Sequence, residues 1–121
     1  MDASDALLSL AALGQPARLT AFRLLVEAGP DGLPAGEIAQ RLEVPHNTLS
    51  THLALLARAG LVAAERHGRS VVYRSDIGGV RRLVEFLLRD CCGGRAEACA
   101  PLLDAILEPL CCQPRLTEAR P

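Results

Sequence analysis

The chain carries five cysteines, Cys91, Cys92, Cys99, Cys111 and Cys112, and all lie in the last quarter of its 121 residues. Thiolates are nucleophiles and soft metal ligands, so their spacing is the first place to look for chemistry. Neighbouring side chains on an α-helix point about 100° apart, so Cys91 and Cys92 do not readily chelate one ion from a regular helix. Gly93-Gly94 lifts that constraint, because glycine lets a helix end and the chain bring Cys99 back towards the pair. Three converging thiols suit a soft centre. Trivalent arsenic or antimony bonds three sulfurs in a pyramid, and the adduct is electrically neutral. Zinc takes a closed set of four N or S ligands, so three thiolates would leave it negative and open. The negative end of a helix favours protonated thiols, with Arg89 and Arg95 offsetting this in part, and arsenite tolerates that state because each bond formed from a thiol releases water. Cys111 and Cys112 lie between Pro109 and Pro114. They are read as auxiliary, with a four-sulfur zinc site or capture of an organoarsenical as alternatives.

Composition bounds the protein that positions these thiols. The length and a hydrophobic fraction of 50% fit a single domain, expected over residues 1–121. The aromatic residues are Phe22, Tyr73 and Phe86 alone, so the core must come from Leu, Val, Ile and Ala, which favours helix packed on helix and makes base stacking a poor reading. No apolar run approaches the roughly 18 residues of a membrane span, and Met1-Asp2-Ala3-Ser4-Asp5 is acidic where a secretory signal is positive, so a cytoplasmic location without membrane is expected. In a reducing compartment an odd number of cysteines points to metal or redox chemistry rather than a disulfide framework.

The net charge of −1 conceals an asymmetry. Residues 1–40 hold two Arg and five acids, residues 41–74 five Arg and two acids, and residues 75–121 six Arg and seven acids, sums of −3, +3 and −1. Only the middle third is basic, a weak sign of nucleic acid by itself.

The elements follow from apolar spacing and breakers. Ala6 to Leu13 is apolar on nearly every side and ends at Gly14, which predicts a helix buried by more than its own domain, as a partner subunit would provide. Pro16 opens a second helix with Leu19, Phe22 and Val26 on one face, ended by Gly29-Pro30-Asp31-Gly32. Pro34 repeats the device for a third, with Ile38, Ala39 and Leu42 inward. After Val44-Pro45, Asn47 or Thr48 caps a fourth helix with Leu49, Leu53 and Leu56 at i, i+4, i+7 and Gly60 at its end. Residues 61–66 and 70–74, joined through His67-Gly68-Arg69, predict a two-stranded hairpin. From Asp76, Val80, Leu83, Val84, Leu87 and Leu88 predict an amphipathic helix running to Cys92, stopped by Gly93-Gly94, with a short helix from Pro101 to Glu108 beyond. The fold class is mainly α with a small β-hairpin, a winged helix-turn-helix.

A helix fits the major groove of B-DNA, and its exposed N-terminal residues are best placed to reach base edges. Here those are His46, Asn47, Thr48, Ser50 and Thr51, short hydrogen-bonding side chains, while Arg66 and Arg69 on the hairpin suit phosphate or the minor groove.

Four spaced motifs then agree in order: Leu10-Ala11-Ala12-Leu13-Gly14-Gln15-Pro16-Ala17-Arg18-Leu19; Pro45-His46-Asn47-Thr48-Leu49-Ser50-Thr51-His52-Leu53; Ala59-Gly60-Leu61-Val62; and Arg66-x-Gly68-Arg69-x-x-x-Tyr73. Over about residues 7–90 the chain resembles the arsenic-responsive ArsR/SmtB winged-helix repressors. The resemblance implies a homodimer joined by the first helix and the helix over 76–92, bound to double-stranded operator DNA with an inverted repeat and released by an inducer. It places His52 in the family's Ser-x-His-Leu motif, as mainly a positioning residue whose imidazole also reaches phosphate.

Two sensor sites of the family are missing by residue type. The stretch Leu33-Pro34-Ala35-Gly36-Glu37-Ile38 matches the family's arsenic site without a thiol, and Asp76 to Asp90 lacks the His of its zinc site. The segment Cys91 to Cys99, which leads into the C-terminal cysteine-bearing arm over residues 93–121, is similar to that of members with a C-terminal Cys-Cys-x-Cys arsenite site, which implies Cys91, Cys92 and Cys99 as ligands of As(III) or Sb(III) and no catalytic cofactor. The alternative is a redox or sulfide sensor using a cysteine pair as a dithiol switch, and a structural zinc knot is a further one. An enzyme is disfavoured, because no Cys-x-x-Cys, nucleotide-binding glycine loop or Ser/His/Asp set stands out.

Overall fold

The computed structural model describes residues 1–89. Its helices are α1 (Ala3–Leu13), α2 (Pro16–Ala28), α3 (Ala35–Leu42), α4 (His46–Arg58) and α5 (Ile77–Leu87), with strands β1 (Leu33–Pro34), β2 (Val62–His67) and β3 (Ser70–Ser75). Residues Met1–Val80 form one compact unit, and a second begins at Arg81. In the first, Phe22, Leu25, Ile38, Leu49, Leu53, Leu56 and Leu61 close a core built by α2, α3, α4 and the start of β2, as the aliphatic composition requires. In the second, Leu83 is buried, Arg81 pairs with Glu85, and the Arg89 guanidinium lies 4.9 Å from the centroid of the Phe86 ring.

The helix starts are set by side chains and prolines. Asp2 caps α1 in a reciprocal box with Asp5, and the Asp5 N–H it accepts holds its carboxyl below the ordinary value. The cap is therefore intact at neutral pH and is lost as acidification passes that lowered value. The Gln15 side-chain oxygen accepts from the Arg18 N–H at 2.9 Å and Pro16 takes the first position of α2, where no N–H is needed.

Several expectations are corrected. On α2 the inward face is Ala21, Phe22 and Leu25, whereas Leu19 and Val26 are exposed. Apolar residues stand on so many sides of this helix that hydrophobicity alone does not choose a face, and small Ala21 lets neighbouring backbones approach. Pro34 is the extended residue before α3, not its first turn, and it pairs with β3. The hairpin is consequently part of a three-stranded antiparallel sheet, in the order β1-β3-β2. Gly32 makes this possible: at φ 69°, a Cβ there would lie 2.2 Å from the Tyr73 carbonyl oxygen. Position N-cap of α4 belongs to Pro45, and Asn47 accepts instead from the Thr48 N–H one residue on. Helix α5 stops at Leu87, short of the residue 92 expected. The segment from residue 90, with the expected helix Pro101 to Glu108 and every cysteine, lies outside the described residues.

Two glycines in helices should respond to alanine with opposite sign. Gly36 in α3 meets nothing within 4 Å, so Gly36→Ala is expected to raise unfolding stability by about 0.5–1 kcal/mol in urea titrations. Gly79 in α5 is pressed on the Gly60 carbonyl, where a Cβ would sit 2.0 Å away, so Gly79→Ala should lower it. Leu53→Ala, at a site with no solvent exposure, should cost about 2–5 kcal/mol in the same titration.

Candidate nucleic-acid interface

Helix α4 is divided lengthwise by its own sequence. Leu49, Leu53 and Leu56 are fully buried, and this fixes which residues remain outside. His46, Asn47, Thr48, Ser50 and Thr51 are all exposed, and they occupy the first turn and a half. The positive end of the helix dipole adds attraction for anions at the same end. Thr51 donates its hydroxyl to the Asn47 carbonyl at 3.3 Å, leaving its hydroxyl oxygen to accept. The turn that presents α4 to α3 spans residues 43–45 and depends on Glu43 in the left-handed region, φ 58°.

The wing is β2 and β3 joined by two residues, Gly68 and Arg69. Gly68 has φ 64° while Arg69 keeps a negative φ, the pattern of a II′ turn, whose twist matches that of a hairpin. Strand alternation sorts the wing charges by face. Glu65, His67 and Arg74 share one face, where the Glu65 carboxylate takes Arg74 at 3.1 Å and lies 3.7 Å from the His67 ring nitrogen. Arg66 points to the other face, in register with Val71, and Arg69 sits in the turn. Both are exposed. Arg41 is paired with Glu37. Of the five arginines in the basic third, Arg58, Arg66 and Arg69 therefore have no acidic partner among the described residues.

His52 is placed differently from the other residues selected on α4. It is half-buried, and its Nδ1 lies 3.3 Å from Nη1 of Arg18 on α2. Arg18 also donates from Nε to the Ala12 carbonyl at 2.7 Å and from Nη2 to the Ala11 carbonyl at 3.4 Å. Arg18 lies in the first of the four sequence motifs, which assigns it no role. The available signal was that α1 has no basic residue in its own last turn, where a cation is favoured. Among the described residues no group of three or more His, Cys, Asp or Glu is arranged to hold a metal ion, and the proposed ligands Cys91, Cys92 and Cys99 lie outside them.

Residues 13–64 match a family model described as a helix-turn-helix domain. The chain is 32% identical over 91 residues to the transcriptional activator HlyU of Vibrio cholerae serotype O1, covering 75% of this chain and 82% of that protein. The solved structure of HlyU from Vibrio cholerae N16961 superposes with a TM-score of 0.59, over 76% of this chain and 99% of that one. An ArsR-like transcriptional regulator from Rhodococcus sp. RHA1 shares the fold at 24% identity and a TM-score of 0.63, over 85% and 92% of the two chains. So does MepR from S. aureus, solved as a DNA complex, at 20% identity and a TM-score of 0.54, over 88% and 90%. No helix among the described residues is long and apolar enough to cross a membrane. A helix-turn-helix followed by a wing, and a close sequence likeness to HlyU over most of that protein, make this chain a member of the ArsR/SmtB-type winged-helix transcriptional regulators, DNA-binding proteins rather than enzymes.

Proposed function

We propose that the protein is a metalloid-responsive transcriptional repressor, a cytoplasmic homodimer that grips an inverted-repeat operator and releases it when As(III) or Sb(III) bonds Cys91, Cys92 and Cys99. The observation that carries the DNA-binding part is the exposed polar start of α4 beside a wing whose Arg66 and Arg69 are unpaired. His46, Asn47, Thr48, Ser50 and Thr51 meet base edges and backbone in the major groove, the Nε2 side of His52 faces phosphate, and the two wing arginines take phosphate or the adjacent minor groove. The dimer part is supported by α1, which turns Ala6, Ser9 and Ala12 inward and leaves Leu7 66%, Leu8 42% and Leu10 44% exposed. Such a contiguous apolar face in a chain of this size calls for a cover. Two copies set their α4 helices at half-sites about 34 Å apart, so a modest change in their relative angle loosens both.

The inducer reading rests on the sequence of the C-terminal arm. Three S–H bonds and three As–O bonds break as three As–S bonds and three waters form, so no oxidant is required. The alternative reading is a dithiol switch that answers to oxidation, and it rests on the same C-terminal cysteines. HlyU is itself named an activator, so repression is the part of the proposal drawn from ligand-driven release.

Arg66→Ala and Arg69→Ala should each weaken operator binding and lower the slope of log K against log salt by about one, measured by fluorescence anisotropy. Leu7→Glu with Leu8→Glu should give a monomer by analytical ultracentrifugation, with the helical signal retained. Arsenite should release operator DNA from the unaltered protein in gel shifts and fail to release it from Cys99→Ser. Release by peroxide alone would install the dithiol reading in its place.

A further inference from the structure

Helix α1 and helix α4 are tied at two points, through Ser9 and through Arg18, neither of which the DNA-contact reading uses. Ser9, fully buried on α1, donates its hydroxyl to the carbonyl of Ala59 at the end of α4, 3.3 Å away. Arg18 makes the second tie, spanning the last carbonyls of α1 at Ala11 and Ala12 and the His52 ring of α4. A guanidinium is donor-only, so the His52 Nδ1 that faces it must accept, and the ring proton then resides on Nε2. The guanidinium is half-buried and has no carboxylate partner among the described residues. Its counter-charge is the negative end of α1, where the Ala11 carbonyl also accepts the Gly14 N–H and where the last turn has no basic residue. Three contacts in a planar fork, made in three directions, are not reproduced by the single ammonium of lysine.

We infer that Arg18 is a positioning residue that locks the recognition helix α4 to the C-terminal end of α1, with neutral His52 as its acceptor. The inference deepens the DNA-binding reading and rests on it for its functional consequence. Through this lock, the apolar helix α1 and the polar start of α4 move as one piece, so whatever seats α1 also sets the angle of the DNA-reading side chains. Arg18 acts through His52 and not by touching phosphate. His52 is thereby oriented with its Nε2–H as the one donor it can offer to a backbone oxygen of DNA.

The test starts without DNA. Long-range ¹H–¹⁵N spectra of the full-length protein should show His52 as the Nε2–H tautomer, and the Nδ1–H tautomer would overturn the lock. Hydrogen exchange at the α4 amides should speed up about tenfold in Arg18→Lys, Arg18→Met and His52→Leu, and stay near the original rate in His52→Asn, whose amide oxygen can stand where Nδ1 stands. Unchanged exchange in Arg18→Lys would also overturn it, and this charge-preserving variant answers even if Arg18→Met does not fold. Titration with operator DNA then separates the two ideas. Arg18→Lys should lose affinity about tenfold with an unaltered salt slope, whereas full retention by Arg18→Lys, or a slope about one unit lower in Arg18→Met, would make Arg18 a phosphate ligand instead. An unaltered protein that passes the tautomer and exchange tests yet ignores operator DNA would remove the DNA reading and leave the lock standing.

Discussion

A recognition helix must be held along one stripe while it offers another, and in this chain the holding stripe is Leu49, Leu53 and Leu56. Their spacing of four and three residues follows the helical period, so the three side chains lie in one row against the core and no rotation of α4 keeps all three buried. The polar row His46, Asn47, Ser50 is the geometric remainder of that choice. His52 stands at the boundary between the rows, half-buried, where a polar ring can face the scaffold through one nitrogen and solvent through the other. The core thus sets the direction of the interface before any electrostatic term acts.

Charge enters as a question of place. Exposed ion pairs such as Arg41 with Glu37 and Arg74 with Glu65 add little stability. Their effect is to occupy two of the arginines in the basic third and leave others open at the wing. A net charge near zero is compatible with DNA binding on those terms, because a phosphate responds to the local arrangement of charge and not to the sum.

What the sequence made legible was whatever a strong period or a turn rule controls. The leucine row of α4, the presence of a hairpin about Gly68, and the exposed short polar residues were readable because each follows from one local rule, whereas the pairing of His67 with Ser70, which shortens the turn to two residues, was not. The inward face of α2 was not, because six apolar residues from Leu19 to Val26 surround that helix and only its neighbours decide among them. Strand β1 escaped because two residues are too short for any alternation, and Pro34 fits the end of a strand as well as the start of a helix. Arg18 escaped for a different reason: its acceptors lie six, seven and 34 residues away, a relation that no window along the chain contains.

Among the described residues the order β1-β3-β2 leaves a strand edge open on each side of the small sheet, and open edges invite pairing with other chains. One edge is blunted by brevity and by Pro34, which has no N–H to give. The other, β2, ends in Glu65-Arg66-His67, three consecutive ionisable side chains along the most exposed part of the hairpin. The wing's charges therefore serve colloidal behaviour as well as the proposed contact with DNA. A wing evolved or engineered towards neutral residues would surrender its guard against edge-to-edge aggregation, so the charges proposed to meet nucleic acid also keep the free protein dispersed.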